Sequence, residues 1–386
     1  MGREDPVELM SLSSEDQLRI QVMLHNSPKA IRLDEAHMTM YALTPNGEAS
    51  IPLSPNCNND QYLRYVREML SEHVLGSSGG YPNYIKRWSR MGQTGGVHLG
   101  KFLLLGDPEA VVAVANSSGL NVELAHNVWW TVTNTVQQAE QGTHMLRHPC
   151  VVNSSLGREI AQFLVEHLAF VTDTEEVLLI LSLLLQDGLL DDGQIERIWR
   201  RSQERGKGIY QVAFLQANPL SLPDLVAPHP RYQEIVDGCA ALSDSGNSAA
   251  KTMITIVSSE GQTFIALAIE LLGKVANEDS VYALMNAIGA LFSDIGIPAT
   301  EERSLELCQL QVGEWIDDGS IKAVAELLQS HSEYRDMMQA VMLLSCVREE
   351  VSFRMVLHSG AVGRSIRKKL TPLFELIRAN LETLQK

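Results

Sequence analysis

Residues 173–185 read DTEEVLLILSLLL, and residues 107–114 read DPEAVVAV. Each stretch opens on an Asp suited to cap a helix, followed by a Glu in the first turn, where the helix dipole favours an acid. Each then runs on to a Gly-Leu pair, Gly119-Leu120 or Gly188-Leu189, and to a tryptophan, Trp129 or Trp199. The copies are offset by 66 residues at Glu109 and Glu175 and by 70 at the tryptophans, so the second carries a small insertion. Two copies of one helical unit with a shared turn predict a stacked array of helix pairs, of the kind seen in HEAT and armadillo repeats.

The same rhythm continues towards the C-terminus. Phe264, Leu267, Ala268, Leu271, Leu272 and Val275 make one helical stripe, and Val281, Leu284, Met285, Ile288, Leu291 and Phe292 make another. Ser320 is read as the cap of a helix carrying Ile321, Val324 and Leu328. Thr371-Pro372 is read as the start of the last helix, with Leu373, Phe374, Ile377, Leu381 and Leu384 on its inner face. Helices with one apolar stripe each must bury it against neighbours.

The first hundred residues differ. Ser14-Glu15-Asp16 starts a short helix through Leu24. In MTMYALTPNGEASIPL, residues 38–53, two β-prone runs flank Pro45-Asn46-Gly47, which predicts a hairpin, with Ala30–Leu33 as a third strand. Leu63, Val66, Leu70 and Val74 give residues 61–75 an apolar helical face. The fold class expected is therefore mainly α, an array of packed helix pairs (an α-solenoid or an irregular α bundle) with a small N-terminal β element. The expected divisions are 1–100 (α+β), 101–218 (helical repeat), 219–231 (linker) and 232–386 (C-terminal helical region). The linker rests on Pro219, Pro223, Pro228 and Pro230, four of the 14 prolines.

The 386 residues are 45% hydrophobic and 20% charged, ordinary for a globular chain, and the net charge is -16. That acidity argues against generic binding of nucleic-acid backbones, though not against a local basic patch. The longest nearly pure apolar run, Val177–Leu185, is far short of the roughly 20 residues that span a bilayer. The N-terminal MGREDPVELM is acidic and has no apolar core, so no signal peptide is expected. The five cysteines, Cys57, Cys150, Cys239, Cys308 and Cys346, are dispersed, which fits a reducing cytoplasm.

Gly76-Ser77-Ser78-Gly79-Gly80 matches the G-x-S-x-G pattern of a nucleophile elbow. An elbow needs a strand before the serine, however, and residues 61–75 read as a helix, so Ser78 is expected in a bend. The segment after it is basic and aromatic. Tyr84 and Trp88 share one helical face with Tyr81 and Ile85, and Lys86, Arg87 and Arg90 share another. Aromatic rings beside cations hold single-stranded nucleic acid, so Tyr84, Lys86, Arg87, Trp88 and Arg90 are the candidate partner or RNA surface. Further basic clusters are Arg197, Arg200, Arg201, Arg205 and Lys207, and Arg364, Arg367, Lys368 and Lys369. His144 and His148, followed by Cys150, have the spacing of a metal pair but lack the glutamate of a zincin and a third ligand. Cys346 reads as a small buried hydrophobe. No catalytic residue, metal or cofactor is implied.

Three stretches, PKAIRLDEAHMTMYALTPNGEASIPLSPNC (28–57), YLRYVREMLSEHVLGSSGGYPNYIKRWSRMGQ (62–93) and LLLGDPEAVVAVANSSGLNVELAHNVWW (103–130), resemble the DsrS family. Its members are encoded in the dissimilatory sulfur-metabolism gene clusters of sulfur-oxidising bacteria. The resemblance runs through roughly the first 230 residues and carries no catalytic motif. It implies a soluble cytoplasmic accessory or regulatory protein of sulfur oxidation, non-enzymatic and acting through protein partners of that machinery. The pathway's sulfite reductase carries siroheme, but this chain shows no clustered cysteines for siroheme or iron–sulfur ligation. The other readings are an RNA-binding post-transcriptional regulator using residues 82–91, and an enzyme resting on Ser78 or the histidine pair.

Overall fold

Ser13 caps the first helix, α1 (Ser14–His25), by accepting from the Asp16 N–H. Ala30–Asp34 (β1), Thr39–Thr44 (β2) and Gly47–Pro52 (β3) follow as an antiparallel sheet in the order β1-β2-β3. Thr44 pairs with Gly47, so the hairpin loop is Pro45-Asn46, and Gly47 of the expected turn opens β3. Gly47 takes a φ of +113°, which a side chain would strain. Side chains alternate across the sheet. Ile31, Met40, Ala42 and Ile51 are buried on one face, together with Leu63, Val66 and Leu70 of α2 (Asn59–Leu75). The structure, a computed structural model, describes residues 12–75, 96–204, 208–297, 304–356 and 361–386. Over these it is mainly α, as the periodicity predicts.

The chain divides into two compact units, Met1–His167 and Leu168–Lys386. In the first unit, the sheet and α2 are followed by α3 (Gly96–Phe102), α4 (Pro108–Ala115), α5 (Val122–Thr131), α6 (Thr135–Met145), the short α7 (Pro149–Val152) and α8 (Ser155–His167). Helices α4, α5 and α6 pack on one another, α6 packs on α8, and α5 packs on β1. A buried polar tie holds the N-terminal layer. Tyr62 of α2 donates to Asp16 Oδ2 at 2.5 Å, and the Ser54 N–H, just past β3, donates to the same oxygen at 2.7 Å.

The second unit contains α9 (Thr174–Leu184), α10 (Asp192–Ser202), α11 (Gly208–Ala217), α12 (Tyr232–Asp244), α13 (Ser248–Val257), α14 (Ser259–Leu272) and α15 (Glu278–Leu291). After these come α16 (Leu305–Asp318), α17 (Lys322–Ser330), α18 (Arg335–Ser345), α19 (Glu349–Val356), α20 (Arg364–Lys369) and α21 (Thr371–Thr383). The contacts are not confined to sequence neighbours. Helix α11 packs on α15, and α21 packs on both α14 and α18, with Gln262 donating to the Leu384 carbonyl at 2.9 Å. A solenoid repeat touches only its neighbours, so this unit follows the irregular-bundle alternative. Residues 219–231 lie inside it: Val226 donates to Thr263 Oγ1 and the His229 N–H to the Val257 carbonyl.

The two sequence copies take the same local form. Asp107 caps α4 by accepting from Glu109, and Asp173 caps α9 by accepting from Glu176. Leu120 and Leu189 are buried in the turns that follow. Trp129 donates to Glu159 and meets Phe163 edge-on at 5.5 Å; Trp199 donates to Asp224 and meets Phe214 edge-on at 5.1 Å. Two caps differ from expectation. Ile321, not Ser320, stands at the N-cap of α17, with no side-chain bond; the Ser320 N–H donates to Asp318 Oδ1 in the turn before it. Thr371 is already inside α21, where its hydroxyl bonds the Arg367 carbonyl, since the chain runs almost directly from α20.

Candidate functional site

Of the residues singled out for chemistry, Tyr84, Lys86, Arg87, Trp88 and Arg90 lie outside the described residues, as does Ser78. His144 and His148 do not share a helix. His144 closes α6, and His148 is the N-cap position of α7, with the chain turning at Leu146 between them. His148 Nε2 bonds the Ala115 carbonyl at 3.0 Å, a tie between α4 and the α6–α7 corner. Burial pushes the His144 imidazole down from its ordinary pKa, and Arg147 adds to this. No group of three metal-ligating side chains is found among the described residues. Cys346 caps α18 half-exposed, so it is less buried than its apolar neighbours suggest. Cys239 and Cys308 are buried, and burial pushes the Cys239 thiol up to about 11. Such a thiol stays protonated and unreactive at neutral pH.

Among the described residues, two of the concavities that gather polar groups lie in different units. The first is a cleft of about 150 Å³ between β1, the start of α4 and the α5–α6 turn. Arg32 and Arg67 line it, and both are committed. Arg32 lies between the rings of Tyr41 and Trp130 and donates to the Trp130 carbonyl. Arg67 pairs with Glu35. Asp107 lines the cleft while capping α4, and burial pushes its carboxyl up against the opposing pull of the Glu109 N–H and Arg67. Gln141 of α6 lines it too, is 3% exposed, and leaves Oε1 without a hydrogen-bond partner. That acceptor suits a bridging water, since buried waters typically satisfy such groups.

The second concavity is larger, about 810 Å³. The C-terminal end of α10, the starts of α9, α11 and α15, and Arg367 of α20 surround it. Val177, Tyr210 and Leu271 are buried in its apolar wall. Lys274 stands on its edge, paired with Glu270 and donating to Gln211 Oε1 at 3.3 Å. Arg367 is half-buried and donates to the Val275 carbonyl at 2.8 Å. Among the described residues, one basic cluster noted in the sequence supplies a cation to this cavity, and the other borders it through residues that are not basic. Arg367 belongs to the 364–369 cluster, and Ser202, Gln203 and Glu204 lie within the 197–207 stretch. Sequence spacing carries no sign of this meeting, because it depends on α20 returning to the segment between α14 and α15.

The described basic residues on α10 are otherwise engaged. Arg200 pairs with Glu196, Arg197 donates to the Gly193 carbonyl, and Arg201 stands over the Tyr210 ring at 5.9 Å. Among the described residues no single helix is long and apolar enough to cross a membrane. Helices α13 and α14 pass together by length and composition, but are bent by 74°. Their apolar side chains Met253, Ile256, Phe264 and Leu271 are buried within the unit. No protein-family model, no curated protein and no solved structure matches the chain.

Proposed function

We propose that the chain is a non-enzymatic accessory protein of dissimilatory sulfur oxidation that acts through protein partners of that machinery in the cytoplasm. One observation supports this reading beside the sequence resemblance: several of the described chemistry-bearing side chains are committed to holding helices. Asp107, Asp173 and Asp191 are spent as caps, His148 on a backbone carbonyl, and Cys239 inside the core. A nucleophile or general base must instead meet a reacting atom at the edge of a cleft. The test has two arms. Deleting the gene should slow oxidation of stored sulfur, and the tagged chain should retain proteins of the sulfur-oxidation cluster from sulfur-grown cells. Turnover of a sulfur compound by the pure chain, or retention of RNA with none of those proteins, would sink the reading.

A further inference from the structure

The cavity of about 810 Å³ in the second unit falls within the size range of small-molecule sites, which are mostly apolar and carry a few placed polar groups. Its wall at Val177, Tyr210 and Leu271 is apolar and buried. Its polar edge carries Glu204, Lys274, which is paired with Glu270, and Arg367.

Arg367 is the decisive group. It is half-buried, it spends one N–H on the Val275 carbonyl, and among the described residues no carboxylate pairs with it. The guanidinium fork keeps donors for an anion and suits a planar or tetrahedral oxyanion. Lys274 approaches from the end of α14, and Gly208, Ile209 and Tyr210, the first turn of α11, also line the space. A helix leaves its first N–H groups without partners inside the helix. Arg367, Lys274 and the first turn of α11 thus line one space. A carboxylate offers two oxygens in one plane, whereas a phosphate offers three in different directions.

We infer that this cavity binds a small phosphate ester, its phosphate held by Arg367 and Lys274 and its organic part against Val177, Tyr210 and Leu271. The inference goes beyond the accessory role and stands independently of it: a partner protein can be right or wrong without this site.

Calorimetry on the full chain tests it, with phenyl phosphate as probe and benzoate, benzyl alcohol and a short oligouridylate as comparisons. Phenyl phosphate should bind more tightly than benzoate or benzyl alcohol. Arg367→Gln and Lys274→Gln should each weaken it about tenfold, and Arg364→Gln, on the same helix but not lining the cavity, should leave it unchanged. Lys274 is exposed, so Lys274→Gln carries the test if Arg367→Gln loses its helical circular dichroism. Four results would overturn the inference: no heat with phenyl phosphate at about 10 mM; equal binding of benzoate or benzyl alcohol; variants indistinguishable from wild type; or binding of the oligouridylate while phenyl phosphate stays silent.

Discussion

Removing one oxygen atom from Tyr62 should loosen the whole N-terminal layer. Tyr62 is fully buried on α2, and its hydroxyl donates at 2.5 Å to Asp16 Oδ2 on α1. The Ser54 N–H, beyond the last strand, donates to the same oxygen, so one carboxylate joins a helix, a strand exit and a second helix. Asp16 Oδ1 has no hydrogen bond; Arg19 Nη1 lies 3.6 Å away, an ionic contact too long to be one. A hydrogen bond to a charged group contributes about 1.5–3 kcal/mol. Tyr62→Phe leaves the ring in place and removes that bond from an acceptor already short of partners. The opening constant of the layer should therefore rise about 10- to 150-fold at 25 °C. Asp16→Ala should cost more, because it strands both the tyrosine hydroxyl and the Ser54 N–H. Amide hydrogen exchange of strands 39–44 and 47–52, read by mass spectrometry on the intact chain, reports this opening directly. Exchange in Tyr62→Phe within about threefold of wild type would show that the bond contributes nothing net, and the account of the layer would fail. Burial, then the bond to Asp16, raises the Tyr62 pKa above its ordinary 10.0. The folded state therefore prefers the neutral phenol. Its contribution is whole below pH 10.0 and is lost as pH climbs through the raised folded value, a loss that Tyr62→Phe should lack.

Gly289→Ala and Gly313→Ala should have opposite signs. A Cβ at Gly289 would stand 1.8 Å from the Val347 carbonyl oxygen, whereas nothing lies within 4 Å of one at Gly313. Alanine's helical advantage of up to about 1 kcal/mol should raise the melting temperature at 313, while the backbone clash should lower it at 289 by several degrees; two changes of the same sign would refute the packing argument. Among the thiols, exposed Cys150 should react with a disulfide reagent in the native protein, while Cys239, buried and held up to about 11, should react only on unfolding; labelling of both at one rate would contradict this. His229 is 2% exposed, accepts the Arg231 N–H at Nδ1 and leaves Nε2 unpartnered, and burial followed by Arg231 pushes its pKa down from 6.5. Its contribution is whole above pH 6.5 and is lost as pH falls through the lowered folded value. His229→Asn keeps an acceptor where Nδ1 stood, so its urea midpoint should decline less between pH 7.5 and about 5.5. An equal decline would remove His229 from the acid response.

The α-helical class and the three-stranded sheet were legible because both rest on local signals. Pro45-Asn46-Gly47 signals a hairpin from its own residues, and the stripe from Phe264 to Val275 reads as one helical face before any neighbour is known. A second recurrence was equally local but was not read: Ser154-Ser-Leu-Gly157 and Ser258-Ser-Glu-Gly261. In each, the first serine donates to a carbonyl three residues back and accepts from the glycine N–H three residues on. A Cβ at Gly157 would stand 2.3 Å from the Val151 oxygen, and one at Gly261 would stand 2.2 Å from the Thr255 oxygen. Glycine is thus dictated by a sharp helix-to-helix corner, which at 258 turns the chain by 74°. The cap at Ser320 was misplaced by one residue: the helix begins at Lys322, which puts Ile321 in the N-cap place, a shift that spacing does not resolve.

The candidate site was not legible, and the reason is chain topology rather than weak signal. The basic cluster at 364–369 was visible as charge, yet charge alone does not say which cation lacks a partner. Of that cluster, Lys368 and Lys369 are exposed while Arg367 is half-buried against Val275. That difference arises because α20 meets the segment between α14 and α15: the Gly363 N–H bonds the Ala276 carbonyl just as Arg367 bonds that of Val275. The same segment places Lys274 and the start of α15 beside the first turn of α11. The cavity is thus made by a contact between elements far apart in sequence, none of which carries a ligand motif. Its apolar wall is supplied by the stripes that signal the helices, so Val177 and Leu271 read as core until Arg367 shows which end of that core is open.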